Sequence, residues 1–193
     1  MVQTRDRTTP ATESLLTLTE FLEYPETEPA SEFIDGEILQ KPMPKGKHSY
    51  LQLGLAAIID AALRKARIAR PGTELRCTFG DRSIVPDIAV FKWDNIPRDE
   101  DGQVADMFDR APDWTIEILS PDQSLLRPTK NIFHCLEHGC AMGWLIVPEE
   151  MSVLVYAPDG AWCFDKPSDR LPVPGFAGDL EITIQDLVDC LQD

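Results

Sequence analysis

Two acidic residues lie inside short apolar segments that are rich in β-branched residues. Asp87 follows Pro86 within residues 83–91, and Glu117 lies within residues 114–121. Turn residues bound both segments, which predicts two buried strands. Burying a carboxylate costs several kcal/mol unless a metal ion or a strong partner compensates the charge. If the two strands pair side by side, the carboxylates converge, and that arrangement indicates a divalent metal site.

The chemistry that such a site supports is hydrolysis of a phosphodiester bond. Carboxylates from different strands can hold Mg²⁺ through their oxygens, and the metal polarises the phosphate and lowers the pKa of the attacking water. A nearby lysine helps to orient that water or neutralises the developing charge. Glu37 follows a predicted hairpin turn and is a candidate for a third metal-binding carboxylate beside Asp87 and Glu117.

The elements that must position these residues form an α/β pattern. Asp35-Gly36 predicts a tight hairpin turn, because both residues tolerate positive φ. Apolar residues at helical spacing predict a long helix from His48 to about Ile68, ended by Pro71-Gly72. The order of elements predicts an α/β domain with a mixed central β-sheet flanked by helices. The other predicted elements are helices at 17–22, 128–137 and 183–191 and strands at about 73–79, 84–92, 113–119, 142–147 and 151–156.

The chain has 193 residues, of which 43% are hydrophobic, and this predicts one domain with its own core. Residues 1–14 are polar and are expected to form a disordered tail, so that the domain spans residues 15–193. No apolar run is long enough to cross a bilayer, and the N-terminus lacks the apolar segment of a secretory signal. Five scattered cysteines are typical of reduced thiols. We therefore expect a cytoplasmic protein with no membrane partner.

The net charge of −15 argues against a protein that coats nucleic acid, because phosphates would be repelled. The charge is uneven, however. Residues 41–76 carry eight basic and two acidic residues, a net charge of +6, which leaves −21 for the remainder. This basic segment is compatible with a local phosphate-binding face and also with an ordinary solvated helix face. If DNA is a partner, we expect low affinity.

Several short motifs, in their order along the chain, resemble one known family. They are 33–38 around Asp35-Gly36, a helix that opens near His48, 85–90 with Pro86-Asp87, 111–121 with Glu117, Lys130 followed by His138-Gly139, and 143–146. Over roughly residues 15–158 this pattern resembles the Uma2 family, also called DUF820. That family is abundant in cyanobacteria and is similar to the PD-(D/E)XK restriction-endonuclease-like superfamily.

The resemblance implies a restriction-endonuclease-like core and a DNase that depends on Mg²⁺, with Mn²⁺ as an alternative. Carried over by position, Asp87 is the aspartate of the Pro-Asp motif and Glu117 is the acid of the E-x-K motif. Glu37 matches the family's acidic residue at the Gly-Glu position. Nucleases of this kind commonly act as dimers so that both strands are cut, which implies a homodimer.

Two positions depart from the family pattern. The lysine of E-x-K should stand two residues after Glu117, on the same strand face, but Leu119 is found there. Lys130, on the next predicted helix, is the candidate for a lysine that has moved, since its long side chain could reach the end of the sheet. Val147 stands where the family often has an aspartate.

Other interpretations of these residues stay open. Leu119 and the net charge favour a DNA- or protein-binding module that keeps the fold without the activity. A Lys130 amine distant from both carboxylates would favour that module further. A metal-dependent hydrolase of a small phosphorylated molecule is a third, weaker candidate. Asp87 could also cap a turn, and Glu117 could pair with Arg76 or Arg82.

Histidine and cysteine positions offer two further hypotheses. His48 opens the predicted long helix, whose N-terminus could meet a phosphate, although a histidine there is also compatible with no ligand at all. His134 and His138 lie one helical turn apart and Cys140 follows them, which resembles half of a zinc site. No second ligand pair with zinc spacing occurs in the sequence, so packing of a helix on the sheet is the preferred interpretation.

Overall fold

The structure, a computed structural model, describes residues 16–121 and 123–192. The predicted tail over residues 1–14 lies outside the described residues. The α-helices are α1 (Leu18–Leu22), α2 (Gly46–Leu63), α3 (Leu126–Glu137) and α4 (Ile184–Asp189). The strands are β1 (Ser31–Ile34), β2 (Glu37–Gln40), β3 (Ala69–Thr73), β4 (Cys77–Phe79), β5 (Arg82–Ile84), β6 (Ile88–Lys92), β7 (Trp114–Ile118), β8 (Met142–Val147), β9 (Ser152–Ala157) and β10 (Gly160–Phe164). Within these two stretches, no helix combines the length and the apolar character needed to span a membrane.

The strands form two sheets, where the sequence pattern predicted one. The larger sheet has the order β10-β9-β8-β7-β6-β3, and it is mixed because β7 and β8 run parallel while the other named pairs are antiparallel. The smaller antiparallel sheet has the order β2-β1-β5-β4. The predicted α/β class with a mixed sheet and flanking helices is confirmed, and the smaller sheet is an addition to it.

The chain crosses between the two sheets at residues 85–87. The sequence pattern predicted one strand over 84–92, but β5 ends at Ile84 and β6 begins at Ile88. Pro86 explains the interruption, because proline cannot donate a hydrogen bond to a strand ladder. Val85, Pro86 and Asp87 are all buried, which is why the apolar pattern continues through the crossing. Asp87 therefore lies at the junction of the two sheets.

The region after α2 also differs from the prediction. Helix α2 ends at Leu63, earlier than the expected Ile68, and strand β3 runs through Pro71-Gly72, which was expected to act as a stop signal. β3 is the outermost strand of the larger sheet, where proline is tolerated because one side of the strand has no ladder partner. Strand β10, which follows β9, was not predicted from the sequence.

Two cores lie on opposite faces of the larger sheet. Ile88 and Ile116 belong to the core that the buried residues of α2 complete. Ala89 and Phe91 alternate with the first set along β6 and belong to the second core, which the smaller sheet and α3 share. By the same alternation along β7, Glu117 points toward the second core, away from α2.

All five cysteines are free thiols. Cys77, Cys135 and Cys140 are buried in the second core or at its border. Burial raises the pKa of Cys77 and of Cys140 to about 12, so both stay protonated and act as small apolar residues. The thiols predicted from the sequence are thus present, and three of them serve the packing around α3.

The close approach of α3 to the sheet depends on Gly143 in β8. A Cβ at this position would overlap the buried side chain of Ile132 on α3. We predict that Gly143→Ala lowers the free energy of unfolding by about 1–3 kcal/mol, because an extra methyl group in a filled core forces its neighbours to shift. Urea unfolding measures the change. Gly46→Ala is the matched control, since a Cβ there would meet no atom within 4 Å; equal loss in both variants would contradict this account of the packing.

Candidate active site

Asp87 and Glu117 lie opposite each other at neighbouring strands. Ile88 of β6 is paired with Ile116 of β7 in an antiparallel register, so Asp87, one residue before Ile88, faces Glu117 across the strands. Their exposed fractions are 2% and 5%. The backbone amide of Ile118 donates to Asp87 Oδ2 at 2.6 Å. The expected side-by-side pairing of the two strands is therefore present, and both carboxyl groups are buried at one place.

Lys41, which follows β2, compensates the charge of Asp87. Its Nζ donates to Asp87 Oδ1 at 2.6 Å, to the carbonyl oxygen of Val85 at 2.8 Å and to Glu74 Oε2 at 3.1 Å. Burial alone disfavours the protonated amine. The carboxyl groups of Asp87, Glu117 and Glu74 outweigh burial and raise the pKa of Lys41 above its usual value. Lys41 is thus a cation built into the interior of the site.

The first two turns of α2 contribute His48 and Gln52. His48 Nε2 lies 3.1 Å from Asp87 Oδ2, and the Gln52 amide donates to the carbonyl oxygen of Asp87 at 2.8 Å. Burial raises the pKa of Asp87, but Lys41 and His48 together outweigh that effect and bring the pKa below its usual value. Asp87 is therefore ionised at neutral pH, and its charge is held by contacts from three elements of the fold.

Glu117 has no comparable set of partners. Its Oε1 is buried and accepts no hydrogen bond from any residue that the structure describes. Burial, followed by the negative charge of Asp87, raises the pKa of Glu117 well above its usual value, and Lys41 opposes this only in part. A buried carboxyl group beside a carboxylate stays neutral unless a cation joins it. The open oxygen of Glu117 is a place where a cation would relieve an unmet interaction; in the same cluster, His48 Nδ1 is also buried without a partner among the described residues.

A second buried ion pair, Glu32 with Arg127, supports the crossing between the sheets. Glu32 Oε1 accepts the backbone N–H of Val85 at 2.9 Å, and Arg127 Nη2 donates to Glu32 Oε2 at 2.8 Å. Arg127 also donates to the carbonyl oxygen of Leu39 at 2.7 Å, and Asn131 contributes a longer hydrogen bond to Glu32. The backbone that leads into Pro86-Asp87 is thereby anchored to β1, β2 and α3.

Glu37 and Lys130, the other two predicted site residues, lie at a surface cavity. Both are exposed, and both line a cavity of about 270 Å³ that also includes Arg127. Among the hydrogen bonds and ion pairs of the described chain, neither residue contacts Asp87 or Glu117. The structure thus brings Asp87 and Glu117 together and leaves Glu37 and Lys130 outside this contact network. Their roles stay predictions.

The sequence analysis missed most of the residues that surround Asp87: Glu32, Lys41, Gln52 and Glu74. No short motif marks them. The excess of basic residues over 41–76 was the available signal, since it contains Lys41 and His48, but it could not separate Lys41 from seven other cations. His48 contacts the carboxylate of Asp87 and is buried, so its place in the site differs from the suggested phosphate contact.

The alternative partners suggested for Glu117 are engaged elsewhere. Arg76 forms an ion pair with Glu26, and Arg82 forms one with Asp35.

The histidine and cysteine segment that resembled half of a zinc site packs against the smaller sheet. His134 Nε2 lies 3.2 Å from the carbonyl oxygen of Phe79, and the two rings stack. Cys140 Sγ donates to the carbonyl oxygen of Met142. These contacts are those of a packed helix end, in agreement with the preferred interpretation.

The mixed sheet, the smaller sheet and the paired acids on adjacent strands define a protein of the restriction-endonuclease-like class. The chain matches the Uma2 family, described as "Putative restriction endonuclease", over residues 18–185, and it belongs to that family. It is also similar to a solved structure of a putative nuclease belonging to DUF820 from Anabaena variabilis ATCC 29413. The identity is 57%, the TM-score is 0.89, and the match covers 91% of this chain and 99% of that chain. No curated protein matches the sequence.

Removal of the Lys41 cation should expose the cost of burying Asp87. We predict that Lys41→Met lowers the free energy of unfolding by about 3 kcal/mol at neutral pH in EDTA, because a buried carboxylate loses its main partner. Adding Asp87→Asn to Lys41→Met should restore much of the loss. Lys47→Met is the matched control, since its ion pair with Glu149 is exposed and should contribute less than about 1 kcal/mol. Urea unfolding of the wild type and the three variants measures these differences, and an unchanged Lys41→Met protein would contradict the assignment.

Proposed function

We propose that the protein is a Mg²⁺-dependent endodeoxyribonuclease that hydrolyses phosphodiester bonds of DNA. The observation that carries the proposal is the buried Oε1 of Glu117, which has no hydrogen-bond partner among the described residues and lies next to the ionised Asp87. Membership of a family described as "Putative restriction endonuclease", and similarity to a structure described as that of "a putative nuclease", support this choice of reaction.

The two carboxyl groups fit a Mg²⁺ ion in number and in chemistry. Asp87 uses three of the roughly four acceptor positions of a carboxylate, and Glu117 Oε1 is free of contacts with described residues. Mg²⁺ is commonly held by one or two carboxylates and completes its shell with water and substrate phosphates. The described residues contain no cluster of three or more His, Cys, Asp or Glu side chains arranged to hold a metal. When bound, Mg²⁺ would stabilise the charge on the phosphate under attack, and Mn²⁺ would suit the same oxygen ligands.

Lys41 is the residue that we propose for the role of the missing E-x-K lysine. Its ammonium lies 2.6 Å from Asp87 Oδ1, and Asp87 lies opposite Glu117 across the neighbouring strands β6 and β7. A cation in this place neutralises charge that develops on a phosphate oxygen. Lys130 and Glu37 remain the candidates that the family resemblance suggests, and their exposed cavity would suit a contact with the DNA backbone.

DNA is the proposed substrate and a second copy of the chain is the proposed partner. The net charge of −15 predicts weak binding that depends strongly on salt, because the acidic surface repels phosphates outside the basic segment. A homodimer would present one site to each strand of a duplex. Sedimentation of the protein with and without a duplex tests the dimer.

A binding module without catalysis is the second candidate. Leu119 at the usual lysine position favours it, and so does the engagement of Lys41 with three acceptors of the protein itself. Cleavage assays separate the two candidates.

We predict nicking of plasmid DNA with Mg²⁺ or Mn²⁺ and none with EDTA. Asp87→Asn and Glu117→Gln should each reduce the rate about 100-fold or more, since each removes charge from the centre of the reaction. Lys41→Met should do the same, with Lys130→Met as the matched comparison. If Lys130→Met abolishes nicking while Lys41→Met retains it, the lysine role belongs to Lys130. A folded wild type that binds DNA but does not cut it with either metal would favour the binding module.

A further inference from the structure

The carboxylate of Glu74 occupies two hydrogen-bond donors at the edge of the acidic cluster. Its Oε2 accepts from Lys41 Nζ at 3.1 Å, and its Oε1 accepts from Gln52 Nε2 at 3.0 Å. The Glu74 side chain is 42% exposed, whereas those of Lys41 and Asp87 are 13% and 3% exposed. An anionic group thus lies across two donors, between the buried cluster and solvent.

Glu74 accepts one N–H donor from Lys41 and one from Gln52. A lysine ammonium has three N–H donors and a glutamine amide has two. Lys41 uses its three on Asp87, on the carbonyl oxygen of Val85 and on Glu74. Gln52 uses its two on the carbonyl oxygen of Asp87 and on Glu74. Displacing Glu74 would free one donor of each residue, side by side, and leave their other contacts in place.

Glu74 is the most weakly held acceptor of this group. Only the Glu74 side of its ion pair with Lys41 reaches solvent, and water screens that side, so this contact breaks more readily than the buried contact between Asp87 and Lys41. The Glu74 backbone has a φ of 48°, in the left-handed region that is unfavourable for residues other than glycine. Residues held in this conformation are frequent at functional sites. Its N–H donates to the carbonyl oxygen of Asp87 at 3.3 Å, which holds that conformation beside the site.

We propose that Lys41 Nζ and Gln52 Nε2 form a binding site for a phosphate group of the nucleic-acid backbone, and that Glu74 occupies this site until substrate displaces it. Two adjacent donors, one of them charged, bind the two oxygens of a phosphodiester as they bind those of a carboxylate. The same ammonium contacts Asp87 at 2.6 Å, so a phosphate on its freed donor lies next to the acid that we propose as a metal ligand. The inference rests on the proposed function and adds to it the residues that receive the substrate phosphate.

Binding of a labelled DNA duplex by the full chain in EDTA tests this site with cleavage switched off. Glu74→Gln removes the charge and replaces one oxygen by a donor that cannot accept from Gln52. Glu74→Asn keeps a residue that tolerates positive φ but has a shorter side chain. At fixed ionic strength, we expect both variants to bind DNA about two- to five-fold more tightly, the range given by loss of an exposed ion pair. Glu181→Gln is the matched control for net charge, since Glu181 also forms an exposed ion pair, with Arg170.

Gln52→Met should bind more weakly than the wild type, and Glu74→Gln should give little gain when combined with it. The anion at this site could be a phosphate of the nucleic-acid backbone or free inorganic phosphate. DNA binding measured in phosphate and in chloride buffers at equal ionic strength distinguishes the two. Inhibition by phosphate that is lost in Gln52→Met would show that free phosphate also enters the site.

Unchanged or weaker binding by both Glu74 variants would overturn the proposal and leave Glu74 as a structural partner of Lys41. Equal tightening in Glu181→Gln would overturn it as well, because the effect would then be one of net charge. If the wild type cuts DNA with Mg²⁺ but the Glu74 variants bind no more tightly, this inference alone fails. If the wild type neither binds nor cuts DNA, the proposed function fails together with it.

Discussion

The ion pair between Lys41 and Asp87 is the interaction on which the rest of the site depends. The chain leaves the smaller sheet at Ile84 and enters the larger one at Ile88, and Asp87 lies in between, where its charge is buried. Lys41 places an ammonium within 2.6 Å of it and binds the carbonyl oxygen of Val85 with the same group. The Lys41 side chain thus stabilises the buried charge of Asp87. It also binds a backbone carbonyl group at the crossing, where the chain belongs to neither sheet.

A second acid–base pair supports the same crossing from the other side. Glu32 accepts the N–H of Val85, and Arg127 brings α3 and the end of β2 to Glu32. Because the polar groups of residues 85 and 87 are bound by side chains from β1, α2 and the loop after β2, the position of Asp87 is determined by several elements at once. Such support from several elements holds a side chain in one orientation.

Within this frame Glu117 is the exception. Glu32 and Asp87 each have a cationic partner, and Glu117 has a buried oxygen with none among the described residues. The contrast separates two kinds of buried acid. Lys41 and His48 lower the pKa of Asp87, which is therefore ionised. Burial and the charge of Asp87 raise the pKa of Glu117, so Glu117 is stabilised as a carboxylate only when a further cation is present.

Local patterns in the sequence determined most of the secondary structure and the two central acids. At the Asp35-Gly36 turn both residues have positive φ, and Thr183 forms a capping box with Asp186. Features of this kind can be predicted from sequence because they depend on neighbours within four residues. Asp87 and Glu117 stood out because a charged residue inside an apolar strand is easily recognised in a sequence.

The tertiary structure decided other features, because they depend on which strands become neighbours. It divides residues 84–92 between two sheets, and it lets β3 run through Pro71-Gly72 at a sheet edge. Lys41, Gln52 and Glu32 lie 35 or more residues before the groups of residues 85–87 that they bind. Only the tertiary structure could bring them to Asp87, since the energy that selects a partner for a buried charge arises after the chain has folded around it.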